Sequence, residues 1–254
     1  MTKDMGMNPK SAANVAKKYD TEGVTEADLA RGLRRDGFWV AGSLLLLMMA
    51  WAKGLFWVGA DVDQGQVYRI IYVHVPVAWN AFLWVILSAV FAAVGLARRH
   101  KLPALDLSSQ AALEIGTLFA GLSLLTGMIW GRPTWGVWWD WDPRLVSTLV
   151  MFLVCLGYHL LRSFTPDVRV RRLVAAAVSL LAAINVPIVY YSVNIWRSIH
   201  QPQTFTRAES TASGDVVVTL LVNVLGMMIV GYALYRLRRG GLSVRQALEQ
   251  ARQG

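Results

Sequence analysis

Six apolar runs, each long enough to cross a bilayer, constrain this chain more than any other feature. A helix needs about 20 apolar residues to span the hydrocarbon core. Runs of that kind fall at roughly 37–59, 70–97, 108–130, 144–162, 172–193 and 215–236. Lipid offers no partner to a backbone amide, so each run must close its hydrogen bonds internally as a helix. Charges and turn residues bound them: Arg34, Arg35 and Asp36 before the first, Asp61 and Asp63 after it, Arg98 and Arg99 after the second. Composition agrees. Of 254 residues 55% are hydrophobic and only 16% charged, where a soluble domain carries about a quarter of its residues as charges. Water-soluble and disordered classes are both excluded.

The remaining charge is lopsided, with a net +9 and a pI near 10.0. Nucleic-acid binding would need those cations gathered on one exposed face, and they follow the spans instead. Six crossings return both termini to one side. That side holds seven Lys and Arg in the N-terminal tail, three in 98–107, four in 162–172 and five in the C-terminal tail, nineteen of the 25. The other side has Arg69, Arg132, Arg144, Arg197 and Arg207, with Lys53 snorkelling near it from the first span. Cations collect on the cytoplasmic side, so both termini are expected there. The fold class is thus an all-α integral membrane protein with six transmembrane helices. It divides into a cytoplasmic tail (1–36), a membrane domain (37–236) and a second cytoplasmic tail (237–254).

The first 36 residues have no apolar h-region and no small-residue cleavage site, so the first span serves as the targeting signal. Residues 25–36 read either as a short surface helix capped by Thr25 or as a disordered tail. For Ser243–Gln253 a solvated tail is expected over an amphipathic helix. The single cysteine, Cys155, excludes an internal disulfide framework, a CxxCH haem-attachment motif and a thiolate zinc cluster.

Chemistry concentrates in the outward loop between the third and fourth spans, within residues 130–145. Five of the chain's eleven tryptophans, Trp130, Trp135, Trp138, Trp139 and Trp141, fall in twelve residues there. Tryptophan favours membrane interfaces, and Trp39, Trp51 and Trp57 read as such a belt. A belt, however, spreads over span ends on both sides. Five in one loop with Gly, Pro and paired Asp present rigid flat faces, suited to stacking on a large planar ligand. Asp142 followed by Pro143 is also a start signal for the fourth span, cap and first-turn proline together. Arg144 sits awkwardly for the helix dipole unless it meets an anion such as a ligand carboxylate. Arg132 invites the same reading more weakly.

Two of the four histidines, His74 and His200, lie on the side of the tryptophan loop. Each alone reads as a satisfied polar residue. Together, at similar depth beside tryptophans, they are candidates for one metal. Zinc wants three or four protein ligands, whereas two imidazoles in an aromatic surround suit the two axial positions of haem iron. His100 and His159, toward the cytoplasmic side, read as structural. Glu114, within the third span, either snorkels or pairs with another helix. Asn185 and Pro187 suggest a kink or an interhelical hydrogen bond. Gly116, Gly121 and Gly127 suggest close helix packing.

The loop Trp-Gly-x-x-Trp-x-Trp-Asp-Pro-Arg-Leu ending at Leu145 resembles the tryptophan-rich "WWD" signature of haem-handling proteins of cytochrome c maturation. The size, the six spans, Arg69–Pro76 and Asn185–Val193 resemble the CcmC family in particular, from about Phe38 to Tyr235. The resemblance implies haem b at the periplasmic face of the bacterial inner membrane, its iron held by His74 and His200. It implies porphyrin contacts from Trp135, Trp138, Trp139, Trp141, Asp142 and Arg144, delivery to the chaperone CcmE, and work alongside CcmA, CcmB and CcmD. The chain departs from that pattern before His200, where Asn194 replaces a common acid and Ile195 precedes a single Trp196. With the resemblance, the reading is a haem-presenting component without catalysis of its own, Arg144 and Arg132 neutralising propionates. His200, on a loop, is expected to exchange more easily than His74. The alternatives are an electron-transfer cytochrome b and a non-haem transporter.

Overall fold

A computed structural model describes residues 26–62, 64–98, 102–200 and 213–253. Thr25, His100 and Arg207 lie outside the described residues. Six helices carry the chain: α1 (Glu26–Ala52), α2 (Ile71–Ala97), α3 (Leu102–Trp135), α4 (Pro143–Phe164), α5 (Val168–Ile195) and α6 (Gly214–Gln253). All six are long and apolar enough to cross a membrane. A π-helical segment, Lys53–Trp57, extends α1, and a 3-10 turn, Gln66–Ile70, leads into α2.

Small residues decide how closely the helices approach. A Cβ on Gly116 would stand 3.1 Å from the backbone nitrogen of Val85, and one on Gly121 would stand 3.1 Å from the Phe152 ring. With lipid outside, helices associate through such packing and through hydrogen bonds between them. Ser88 (α2), Ser109 (α3) and Ser179 (α5) supply the latter, with oxygens 3.0 and 2.6 Å apart from the central Ser88. Asn185 on α5 donates to the Ser147 carbonyl of α4 at 2.8 Å, the interhelical bond its sequence suggested. One apolar core runs through the bundle from Leu47 on α1 to Val230 on α6. The leucines and isoleucines left exposed along every helix suit a lipid surround. Trp39 and Trp57 are exposed like belt residues, while Trp51 packs against the core.

Three elements outrun the apolar pattern. α3 continues beyond residue 130 through Gly131, Arg132 and Pro133 to Trp135. Thr134 donates to the Trp130 carbonyl at 2.9 Å. The helix stops only where Gly136 takes φ +82° and its N–H meets the Arg132 carbonyl, a left-handed turn that glycine reaches without strain. At the other extreme, α6 runs unbroken past Arg236 to Gln253. Ser243–Gln253, expected as a solvated tail, continues α6 as a helix, with Ser243, Val244, Arg245 and Glu249 still exposed. Just ahead of it Leu242 is buried and Arg239 donates to the Ser108 hydroxyl at 2.9 Å. Arg238 grips Glu114 on α3, so that carboxylate pairs with another helix. α1 likewise begins eleven residues ahead of its apolar run.

Candidate functional site

His74 sits in the first turn of α2, and the chain before it is braced. Arg69 donates to the Leu55 carbonyl at 2.5 Å and the Val58 carbonyl at 2.7 Å, fastening the 3-10 turn to the end of α1. A tight turn between Asp61 and Gly65, with Gly65 at φ +57°, presents Gln64 to the Trp130 indole N–H at 3.3 Å.

The His74 ring is fixed from α3. Its Nδ1 lies 2.8 Å from the Thr126 hydroxyl, whose own proton goes to the Leu122 carbonyl at 2.8 Å. A hydroxyl has one proton to give, so Thr126 accepts from Nδ1–H and Nε2 is left with its lone pair. Gly127 makes room for this ring: a Cβ there would come within 3.3 Å of the imidazole Cε1.

Asp142 organises the second histidine. Its Oδ1 accepts from the Arg144 backbone N–H at 2.8 Å, capping α4. The same oxygen lies 2.8 Å from His200 Nδ1. Its Oδ2 accepts from the Ser198 hydroxyl at 2.6 Å and the Ile199 N–H at 2.9 Å. The Ser198 oxygen in turn accepts the His200 N–H at 3.0 Å. A carboxylate only 3% exposed is thereby saturated with donors. Burial would raise its pKa, but the bond from Ser198, the neighbouring His200 and the two backbone N–H groups hold it below the ordinary carboxylate value. Burial lowers the pKa of His200, against the opposing pull of Asp142. A neutral His200 donates through Nδ1 to this carboxylate, and Nε2 again keeps its lone pair. A carboxylate or hydroxyl behind the far nitrogen is how proteins orient a metal-bound imidazole.

His74 and His200 line one cavity between the helices, together with Trp130, Arg144 and Tyr190. The rest of its wall is largely apolar, with Val75 and Phe82 from α2, Leu124 from α3, Val189 from α5 and Leu220 from α6. Trp130 neighbours both histidines, its ring centroid 6.2 Å from His74 and 6.1 Å from His200. Trp135 packs edge-on against His200 at 4.7 Å. Arg144 reaches the Tyr190 carbonyl at 3.4 Å and places a cation in a largely apolar wall.

The other tryptophans of the loop lie apart from that wall. Trp138 and Trp141 are 56% and 78% exposed, and Trp139 meets Trp141 edge to face at 5.9 Å. Arg132 turns back on its own chain to the Gly136 carbonyl. Asn194, Ile195 and Trp196 are all exposed, so the packing beside His200 comes from Trp130 and Trp135. Three contributors escaped the sequence reading as site residues. Trp130 was visible within the tryptophan cluster, and Tyr190 within the Asn185–Val193 segment. Thr126 carried no signal, being an ordinary helical threonine until His74 is placed beside it.

Comparison with known proteins places this geometry in context. The family model described as "Heme exporter protein C" matches residues 29–252. A protein named heme exporter protein C from Bradyrhizobium diazoefficiens is 36% identical over 203 residues, 78% of this chain and 74% of its own. The protein of that name from Escherichia coli K12 is 34% identical over 206 residues, 80% of this chain and 82% of its own. A putative cytochrome c biosynthesis ccmC-like mitochondrial protein of Marchantia polymorpha is 41% identical over 169 residues, covering 66% and 68%.

Proposed function

The chain belongs to the heme exporter protein C family, and from that premise we propose that it holds haem b between His74 and His200 and presents it to the chaperone CcmE. Its place is that of a multi-pass membrane component handling haem for cytochrome c maturation, rather than an enzyme. The observation that carries the reading is that both imidazoles line one apolar cavity, each with Nδ1 bonded to an oxygen of the protein. Two neutral imidazoles with unprotonated Nε2 atoms fit a haem iron's two axial positions. The Arg144 guanidinium in the cavity wall fits a propionate.

When bound, haem supplies an iron that takes two nitrogen ligands and a vinyl edge open to reaction with CcmE. The chain's own residues do the rest. Thr126 and Asp142 hold the two rings in the tautomer that offers Nε2. Trp130 and the apolar wall exclude water, and Arg144 balances carboxylate charge. Trp138 and Trp141, exposed beyond the cavity, are placed to meet the porphyrin edge or the incoming chaperone. Arg132, bonded to the Gly136 carbonyl in this structure, is the second cation proposed for a propionate. His200, held by a loop, is the ligand expected to yield first on transfer. The excess of Lys and Arg at the opposite end of the bundle supports cytoplasmic termini in the bacterial inner membrane and a periplasmic haem site. CcmA, CcmB and CcmD are the proposed assembly partners.

The absorption spectrum of the purified protein tests this. Wild type from haem-replete cells is expected to show a Soret band, and His74→Ala and His200→Ala to lose most of it. Full Soret intensity in both variants would remove the reading. Haem that turns over with quinol but never reaches CcmE would favour an electron-transfer cytochrome b instead.

A further inference from the structure

At the end of the bundle remote from His74 and His200, five arginines line one pocket between α3, α4, α5 and α6: Arg162, Arg171, Arg172, Arg238 and Arg245. Three carboxylates share it, Asp106, Glu114 and Glu249. Two positive charges are left over. Asp106 takes Arg162 in a fork at 2.7 and 3.0 Å and Arg172 at 3.6 Å. Glu114 pairs with Arg238, and Glu249 with Arg245 at 2.9 Å. Arg171 meets no carboxylate among the described residues, its guanidinium reaching the Thr165 carbonyl at 3.5 Å.

An apolar groove opens from the same pocket. It shares Glu114 and His159 with the arginine cluster and continues past Leu118, Gly121, Leu122 and Leu125, with Phe152 of α4 on its other side. Leu118, Leu122 and Leu125 are exposed along it. From Glu114 to Leu125 it runs about 16 Å at 1.5 Å per residue. That is close to half of the ~30 Å hydrocarbon core, the depth of one leaflet.

We propose that pocket and groove together bind one anionic phospholipid, its phosphate among the arginines and an acyl chain along α3. A free phosphate matches the arginines alone, and a neutral lipid the groove alone. The join between them selects an amphiphile that carries negative charge at the membrane surface, and basic pockets between membrane helices hold such headgroups. Guanidinium forks suit phosphate oxygens. The inference rests on the six membrane-spanning helices and not on the haem reading.

The full chain, delipidated in detergent, is titrated with phosphatidylglycerol or phosphatidylcholine and followed by native mass spectrometry. One phosphatidylglycerol is expected to be retained in preference to phosphatidylcholine. Arg171→Gln/Arg245→Gln spares the Arg162–Asp106 fork and should weaken phosphatidylglycerol by roughly 25-fold, about fivefold per surface arginine. Leu118→Trp, which fills the groove, should weaken it as well. Arg34→Gln, exposed on α1, should leave it unchanged, and circular dichroism checks that each variant keeps its helices. Equal affinity for the two lipids, or unaltered phosphatidylglycerol binding in either the double variant or Leu118→Trp, overturns the proposal. So does displacement of the lipid by inorganic phosphate at matched concentration, which would make the pocket a small-anion site.

Discussion

At one end of the bundle two histidines share an apolar cavity, each with one ring nitrogen tied to an oxygen and the other left unprotonated. At the opposite end five arginines and three carboxylates crowd one pocket, most of them in ion pairs. Both ends gather ionisable groups where helices meet, and the difference lies in what remains unused. Asp142 spends all its acceptor capacity on Arg144, His200, Ser198 and Ile199, which leaves a lone pair on His200. Asp106 spends its capacity on Arg162 and Arg172, which latches α3 to α4 and α5. A carboxylate behind an imidazole prepares a ligand, whereas a carboxylate between guanidiniums fastens helices.

The strongest way to break this contrast is Asp142→Ala. It removes a helix cap, worth about 1 kcal/mol, and buried hydrogen bonds to a charged group, each worth about 1.5–3 kcal/mol. Haem affinity should fall between about 10- and 100-fold, the usual scale for losing a partner behind a metal ligand. Haem titration measures it. Wild-type affinity would mean that Asp142 serves α4 alone.

Thr126→Val comes next. The shape is kept and only the acceptor for His74 Nδ1–H is lost, so haem binding should drop about tenfold with little change in thermal unfolding. An equal loss of stability and haem would assign Thr126 to packing rather than to the orientation of His74.

Acid should act on the histidine end with a definite sign. Burial sets His200 below its ordinary value of 6.5, so between the two values the unfolded chain binds the extra proton. Stability from this group is full above 6.5 and falls as the pH drops below it. Asp142, depressed from 3.8, adds stability that is present above that value and lost as the pH falls through its folded pKa. Proton and iron compete for the same Nε2, so haem release followed by the Soret band should be centred below pH 6.5. Release centred above 6.5 would contradict a buried neutral His200.

Glu114→Gln should do least. Arg238, its partner, is 46% exposed, and pairs open to solvent contribute less than about 1 kcal/mol. Thermal unfolding should shift slightly and the Soret band not at all. A large loss of haem would show that the two ends are coupled.

The six helices were legible because lipid leaves a backbone no other way to close its hydrogen bonds, so apolar length alone reveals them. Helix ends were less legible. α3 passes Gly131 and Pro133 and α6 passes Gly240 and Gly241, because hydropathy marks the membrane boundary and a helix stops only where its hydrogen bonding does. Asp142 showed its capping role through Pro143, yet its grip on the 198–200 segment depends on residues more than 50 positions away.

Sequence alone determined the membrane class, the number of spans, and the candidacy of His74, His200 and Arg144, since each follows from composition, local order or motif. Tertiary structure decided which tryptophans enter the cavity, that Thr126 and Asp142 choose the histidine tautomers, and that arginines dispersed from 162 to 245 meet in one pocket. The reason is physical. Helix formation in lipid is settled within about 20 consecutive residues, whereas a donor, an acceptor and a cavity wall are contributed by different helices and exist only once those helices pack.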